Sequence, residues 1–446
     1  MRHSDFRRLW AADALSQAGT QVTVIALPLL LIKVLHAGPF EVGLLTTFEF
    51  LAFLLIGLPA GVWVDRVRRR NVLFVTDLVR GLLFGSLPVA WAFDVLTLTQ
   101  VYVVALLAGA CTVFFDVAYQ SYLPHLVGRE HLVEGNAKLQ GTQSVAQVAG
   151  PTVGGVLVQA LTAPYAILID AVSFLWSATW IFSIRSREPR PERATDRHLG
   201  REMREGLAFV FGHRLLRAIA ACTATFNLFS NMAFTVFVVL LAGTGELNLS
   251  AGTIGLLFSA AAAGGLLGAL VARRFAELVG QGPALCISVA LGAPAMLAMP
   301  FVQRGWVLVL VALGSVLSGV INVVYNIIQV SFRQLLCPER LLGRMNATIR
   351  FAVWGTLPIG SLLGGILGAT IGLRPTLWIA VGGTAVAFLP IFFSPLRTMR
   401  ELPTSSDGPL TGAVGDPVAG PAGVGTAGPG SAPVSGVAGG PGDGAP

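Results

Sequence analysis

The sequence is poor in charge. Asp, Glu, Lys and Arg make up 12% of its 446 residues, about half of the ~25% that water-soluble domains carry, which excludes a soluble globular domain as the bulk of the chain. Cysteine is scarce too. Cys111, Cys222, Cys286 and Cys337 stand far apart, without the paired spacing of a metal or redox site, so they read as packing residues and no metal is expected. No GxxxxGK[ST] phosphate loop occurs, which removes ATP as the direct energy source. Nucleophile, base and orienting group are nowhere found at readable spacing, so enzymatic chemistry is not expected. Apolar residues fill the chain instead: 54% are hydrophobic and the mean hydropathy is +0.73.

A helix needs about 20 apolar residues to cross hydrocarbon, where no water satisfies its backbone N–H and C=O groups. Twelve runs qualify: 9–32, 40–64, 71–93, 99–123, 137–160, 164–184, 215–241, 251–272, 283–302, 306–330, 346–372 and 375–395. The expected fold class is an all-α membrane protein. The first run is too long for a removable signal peptide and lacks the small-residue cleavage site. The net charge of +7 is a topology signal. With the N-terminus cytoplasmic, only Lys33, Arg304 and Arg374 of the 30 Lys and Arg residues fall outside, and Arg80 lies within a span. This is the positive-inside pattern, and it places a multi-pass chain in the cell membrane with both termini cytoplasmic. Nucleic acid is not an expected partner, because the basic runs lack interleaved aromatics.

The chain divides into residues 1–184, a basic linker at 185–214, residues 215–400, and a tail at 401–446 so rich in Gly, Pro and Ala that disorder is expected. The linker contains proline and runs into a short amphipathic stretch, expected to lie on anionic headgroups. A shift of 210 residues superposes NAKLQGTQSVAQVAGPTVGGVL, from Asn136, on NATIRFAVWGTLPIGSLLGGIL, from Asn346. The same shift pairs Asp116 with Asn326, Ser121 with Ser331, Gln17 with Asn227 and Gln21 with Asn231. Polar matches at one offset indicate duplication, and an even number of spans per repeat gives two pseudo-symmetric six-helix bundles in the same orientation.

An ionised side chain in hydrocarbon costs about 2.5–3.5 kcal/mol even on the lenient insertion scale, so each polar group should face protein or water. The first span carries Asp13, Gln17 and Gln21; the fourth Asp116, Tyr119 and Gln120; the seventh Asn227 and Asn231; the tenth Asn322, Asn326 and Gln329. Helical spacing puts each set on one face. Interhelical hydrogen bonds, worth ~0.6–2 kcal/mol each, would explain a single amide. Four stripes in symmetry-related spans favour a shared polar cavity. The fifth span adds Gln143 and Gln147 to that lining. GPTVGG then follows, in which Gly150, Pro151, Gly154 and Gly155 bend the helix or let a neighbour approach closely.

GVWVDRVRRR, from Gly61 to Arg70, resembles the loop between the second and third helices of the major facilitator superfamily, and GPTVGG resembles the fifth-helix signature of its drug:proton antiporters. FRRLWAADALSQAGTQVTVIALPLLL, FFDVAYQSYLP and REGLAFVFGHRLLR are similar to the twelve-helix efflux branch that includes enterobactin exporters and macrolide efflux proteins. The likeness covers residues 1 to about 400 and departs at Arg68 and Ala146, where glycine is usual. It implies the major facilitator fold and a gating loop of Gly61, Asp65, Arg66, Arg69 and Arg70 working with Asp116. Asp65 would face the positive N-terminus of the eleventh helix, a contact worth about 0.3–2 kcal/mol, and Arg69 would reach Asp116. The result is an ionic clasp that can open.

An exporter without ATP draws on an ion gradient, about 2.3 kcal/mol per charge at about 100 mV. A protonatable carboxyl within the bundle is then required. Burial favours the neutral carboxyl and a neighbouring arginine favours the ionised one, so Asp77 and Arg80 read as a structural ion pair. Glu49, with no basic partner in its helix, leads as proton carrier, followed by Asp116 and Asp13. The expected protein is a secondary active, proton-coupled exporter of an amphipathic small molecule, such as an antibiotic, a siderophore or another secondary metabolite, by alternating access. It would be a monomer in the lipid bilayer, without cofactor. Nutrient uptake and lipid flipping are alternatives within the fold. A non-transporting receptor or scaffold is an alternative of another class, for which the tail looks too featureless. Asp65→Asn is expected to lower transport while leaving membrane insertion intact; wild-type rates in vesicles containing this variant would remove the clasp.

Overall fold

The computed structural model describes residues 4–64, 66–127, 132–184, 199–243, 245, 247–337 and 341–399. Asp65 and the tail, for which the sequence predicts a clasp and disorder, lie outside the described residues. Within them the chain is helical and has no strand, as a chain must be whose backbone polar groups find no water in lipid. The first six helices are α1 (Ser4–Lys33), α2 (Pro39–Val64), α3 (Arg69–Ala92), α4 (Leu98–Val127), α5 (Leu132–Leu161) and α6 (Ala163–Phe182). A shorter α7 (Leu199–Gly212) leads to α8 (Arg214–Ala242), α9 (Ala251–Val279), α10 (Gln281–Met296), α11 (Val307–Leu336), α12 (Leu342–Trp354), α13 (Thr356–Thr370) and α14 (Leu373–Val386).

Among the described residues, eleven segments are long and apolar enough to cross a membrane, with α12 and α13 counting as one span across Gly355. The ninth of the expected spans is the exception. α10 has 16 residues, which reach only ~24 Å at 1.5 Å per residue. Pro294 lies in its last turn, and the turns that follow carry the chain on to Val302.

The duplication is visible in the packing. α1 packs on α5 and α6, α2 on α4, and α3 on α4 and α6; correspondingly α8 packs on α13 and α14, α9 on α11, and α10 on α11 and α14. The correspondence reaches single atoms. A Cβ at Gly154 would lie 3.0 Å from Val22 Cα, and one at Gly364 would lie 3.1 Å from Met232 Cα, both partners related by the same 210-residue shift. Each glycine therefore lets its helix lie directly on the backbone of the first helix of its bundle.

The two bundles meet along α5–α9 and α2–α13. These seams are tight towards the face opposite the termini. Gly155 packs on the Ala251 carbonyl, Gly255 on the Pro151 carbonyl, and a Cβ at Gly43 would lie 2.8 Å from Gly365 Cα. Thr152 donates its backbone N–H to Ser259 Oγ at 3.0 Å, and Gly252 N donates to Gln159 Oε1 at 3.2 Å. Lys33 reaches Asn248 on the same face. Towards the termini close backbone packing gives way: beyond the local backbone, no atom lies within 4 Å of a Cβ built at Gly57, Gly61 or Gly141.

The amphipathic stretch before α8 is held against the second bundle. α7 docks on α12, burying Val210 beside Met345 and Ile349, pairing Glu205 with Arg344, and fitting Gly206 against the Arg344 carbonyl at 3.0 Å. Val210 and Phe209 are covered by protein in this way, while Leu207 and Phe211 stay exposed.

The Gly155 contact yields a test. A leucine there has no room against the Ala251 carbonyl, and overpacking of this kind costs about 1–3 kcal/mol. In a background without the four native cysteines, disulfide cross-linking of Gln159→Cys with Gly252→Cys should fall roughly tenfold when Gly155→Leu is added. Undiminished cross-linking would show that this glycine does not govern the seam.

Candidate functional site

Between the bundles lies a cavity of about 730 Å³. α1 contributes Gln17, α4 contributes Asp116, Tyr119 and Gln120, and α5 contributes Gln143. From the second bundle come Asn227 of α8 with Asn322, Asn326 and Gln329 of α11. The pairs related by the repeat, Gln17 with Asn227 and Asp116 with Asn326, thus face one space from opposite sides. Along α11 the amides form a ladder: Asn326 Nδ2 donates to Asn322 Oδ1 at 3.0 Å, and Gln329 Nε2 donates to Asn326 Oδ1 at 3.2 Å. Gln329 is only 3% exposed, and its Oε1 has no hydrogen-bond partner. An orphaned buried acceptor marks a place where water or a ligand completes the bonding.

Three residues expected in this lining sit elsewhere. Asn231 donates to the Leu357 carbonyl at 2.8 Å and to Ser361 Oγ at 2.5 Å, tying α8 to α13; at this position the interhelical bond prevails over the cavity. Its counterpart Gln21 is held under Gly150 of α5. Gln147 lines a second, more apolar cavity of about 710 Å³ with Ser230, Phe234 and Phe258. Phe226 and Asn322 border both cavities.

Two charged lining residues, Arg333 and Arg350, are not among those the sequence pattern singles out. Arg350 belongs to the membrane segment Arg344–Thr370, so Arg80 is not alone within a span. Its Nη2 lies 3.7 Å from Asp116 Oδ2, and its guanidinium sits 4.3 Å from the Trp354 ring centroid. The cation beside Asp116 therefore comes from the opposite bundle, not from Arg69 at the start of α3. The signal was present in the sequence, since Arg350 follows Asn346 by one helical turn. With its partners 40% and 37% exposed, such a pair is worth about 0–1 kcal/mol, weak enough to break and re-form.

Asp77 and Arg80 form the ion pair that their spacing implied, with Asp77 fully buried. Ser177 Oγ donates to Asp77 Oδ2 at 2.5 Å, and the Arg80 guanidinium lies 4.5 Å and 4.4 Å from the Phe115 and Phe174 ring centroids. Asp170 is bonded by Thr23 and Ser173 where α1 crosses α6, and Gly19 makes the room. Asp13, 5% exposed, lies beside Gln17 and Tyr119 and borders a cavity of about 430 Å³. Glu49 is partly buried in α2 with no hydrogen-bond or ionic partner among the described residues, and Gly109 of α4 packs on its carbonyl. In the loop after α2, Arg66 is exposed, while Arg70 donates to the Ile181 and Phe182 carbonyls at 3.3 and 2.5 Å. That contact places a cation at the negative end of α6.

Two symmetric bundles that enclose a polar cavity, closely packed on one face and less closely on the other, define a membrane transporter. The family described as transmembrane secretion effector matches residues 1–424, and the chain belongs to it, a branch of the major facilitator superfamily. These are transporters, not enzymes. The chain is 25% identical over 412 residues to the enterobactin exporter EntS of Escherichia coli O1:K1 / APEC, covering 91% of this chain and 96% of that protein. It is 27% identical over 407 residues to the multidrug efflux pump Tap of Mycolicibacterium fortuitum, covering 87% and 95%. Among solved structures it is similar to a bacterial homologue of the iron transporter ferroportin in its inward-facing state, with a TM-score of 0.70, 16% identity and coverage of 88% and 98%. The outward-facing state of such a homologue gives a TM-score of 0.57 at 18% identity, covering 87% and 98%.

The buried ion pair gives a prediction. Removing one partner of a buried pair costs about 3–5 kcal/mol, whereas an apolar replacement of both is close to neutral. Asp77→Leu should strongly depress the thermal unfolding temperature in detergent, and adding Arg80→Met should recover most of the loss. A double variant no more stable than Asp77→Leu would show that the two charges do not act as a pair.

Proposed function

We propose that this transporter exports an amphipathic small molecule, such as an antibiotic, a siderophore or another secondary metabolite, from the cytoplasm in exchange for protons. The single observation that carries this reading is the central cavity, walled by amides from both bundles and lying where close backbone packing gives way towards the termini. The basic residues on the side of the termini support a cytoplasmic placement for both ends. On that placement the structure is an inward-facing state ready to load substrate, and the higher TM-score to the inward-facing neighbour agrees. The efflux activities that the names of EntS and Tap state favour outward transport. The chain acts as a monomer in the bilayer, with the proton gradient as its energy source and no cofactor. Its working divisions are residues 1–184 and 215–400, joined by the linker at 185–214 and followed by the tail.

Alternating access then has a physical basis. The far face is held by close backbone packing at Gly155, Gly255, Gly43 and Gly365. On the near side, where close backbone packing is lost, the bundles stay linked through the exposed Asp116–Arg350 pair and the Phe53–Trp354 ring contact at 5.0 Å. Rocking one bundle against the other exchanges which end is closed. Coupling resides in the carboxyls of the first bundle. Asp13 and Asp116 border cavities from which a proton can arrive, and Asp116 also holds the clasp, so its protonation releases Arg350. Glu49 remains a candidate because no partner holds its charge among the described residues.

Proteoliposomes with an imposed pH gradient and a fluorescent amphipathic dye test this. The wild-type chain should drive dye movement that a protonophore abolishes. At least one of Asp13→Asn, Glu49→Gln and Asp116→Asn should lose the dependence on the gradient while retaining dye exchange at equal pH. Gradient-driven movement unchanged in all three variants would overturn the assignment of coupling to these carboxyls.

A further inference from the structure

The two central cavities, of about 730 and 710 Å³, differ in character and are neighbours with lining residues in common. Each alone falls within the ~300–1,000 Å³ usual for small-ligand sites. The first is rich in amides and charge. The second is lined by Phe226, Phe234, Phe237 and Phe258, with Ala261 and Gly265 leaving space between the rings. Phe226 and Asn322 line both.

The charges in the polar chamber do not balance. Asp116 is the acid in its lining, and it already has Arg350 at 3.7 Å. Arg333 is left over. It continues the stripe of Asn322, Asn326 and Gln329 on α11, no ion pair to it is found among the described residues, and its Nε is buried without a hydrogen-bond partner. Asp13 borders a neighbouring cavity that shares Gln17, Tyr119 and Gln143 with the first, and no ion pair joins it to Arg333 among the described residues. A basic residue in the last turn of a helix is ordinarily accounted for by the dipole and by the positive-inside pattern. Neither account requires its guanidinium to turn inward with Nε out of contact with water. One turn away lies the second orphan, Gln329 Oε1, in a side chain 3% exposed. A guanidinium stays charged at any physiological pH and matches the two oxygens of a carboxylate.

We propose that the two chambers form one bipartite site for an amphipathic organic anion, with its acid group held by Arg333 and its apolar body seated among the phenylalanines of the second chamber. The proposal rests on reading the central cavity as the substrate path, and it names the chemical class that path selects. Gln329 Oε1 would accept from a hydroxyl beside the acid group, and Asn322 would meet the polar waist of the ligand.

Equilibrium binding to the purified full-length protein in detergent, read by fluorescence anisotropy, tests it with two dyes that share a xanthene core: fluorescein, an anion, and rhodamine 123, a cation. Fluorescein should bind about tenfold more tightly, the usual scale for one charge-assisted contact. Arg333→Gln should erase that preference, Arg333→Lys should keep most of it, and size-exclusion profiles should match across the set. Gly265→Leu, which fills the apolar chamber, should weaken fluorescein while leaving competition by benzoate, a small anion, unchanged. Equal affinities, tighter binding of rhodamine 123, no saturable fluorescein binding, or a preference that survives Arg333→Gln would each overturn the proposal. Transport plays no part in this readout, so the exporter reading stands or falls separately in the proteoliposome assay.

Discussion

Charge cannot rest in hydrocarbon without a partner or water, and this constraint organises the interior. Asp77 and Arg80 satisfy it through each other, with Ser177 and two phenylalanine faces completing the shell. Asp170 satisfies it with two hydroxyls from α1 and α6. Asp116, Arg350 and Arg333 satisfy it by facing the central cavity. The same rule that rejects these groups from lipid therefore sorts them into structural pairs, deep within the first bundle, and cavity residues, between the bundles.

The second organising feature is the use of glycine where helix backbones touch. Gly154 and Gly364 bring the fifth helix of each bundle onto its first, while Gly155 and Gly365 face the opposite bundle. Adjacent glycines thus serve two different purposes, one within a bundle and one across the seam. Backbone laid on backbone interlocks no long side chains, so two such surfaces can separate and return without repacking a core. The clasp on the other side is of a different kind, an exposed ion pair and an aromatic contact. A close backbone seam at one end and a weak ionic one at the other suit a structure with two states of similar energy.

Much of this was legible in the sequence. The 210-residue repeat predicted two related bundles, and the structure repeats the same glycine-on-backbone contact at Val22 and Met232, because duplicated helices keep the register of their small residues. The polar stripes predicted the cavity lining at Gln17, Asp116, Asn227, Asn322, Asn326 and Gln329, because helical periodicity alone determines which residues share a face. Asn231 and Gln21 were misplaced although they obey the same spacing. One more turn along their helices brings them under α13 and α5, where a neighbouring backbone takes the place of water. Periodicity gives direction around a helix but not what stands opposite at each level.

The sequence by itself determined that the chain crosses the membrane many times, that it consists of two related halves, and which helix faces are polar. These follow from composition, spacing and repetition, properties local to one helix or shared by two. Only the tertiary structure decided that Arg350 rather than Arg69 stands beside Asp116, that GPTVGG closes the seam against α9, that α7 docks on α12, and that Arg333 faces the cavity with no acid paired to it among the described residues. Each of these is a meeting of residues far apart in the chain. Such meetings depend on the tilt and depth at which packed helices cross, which no single helix encodes.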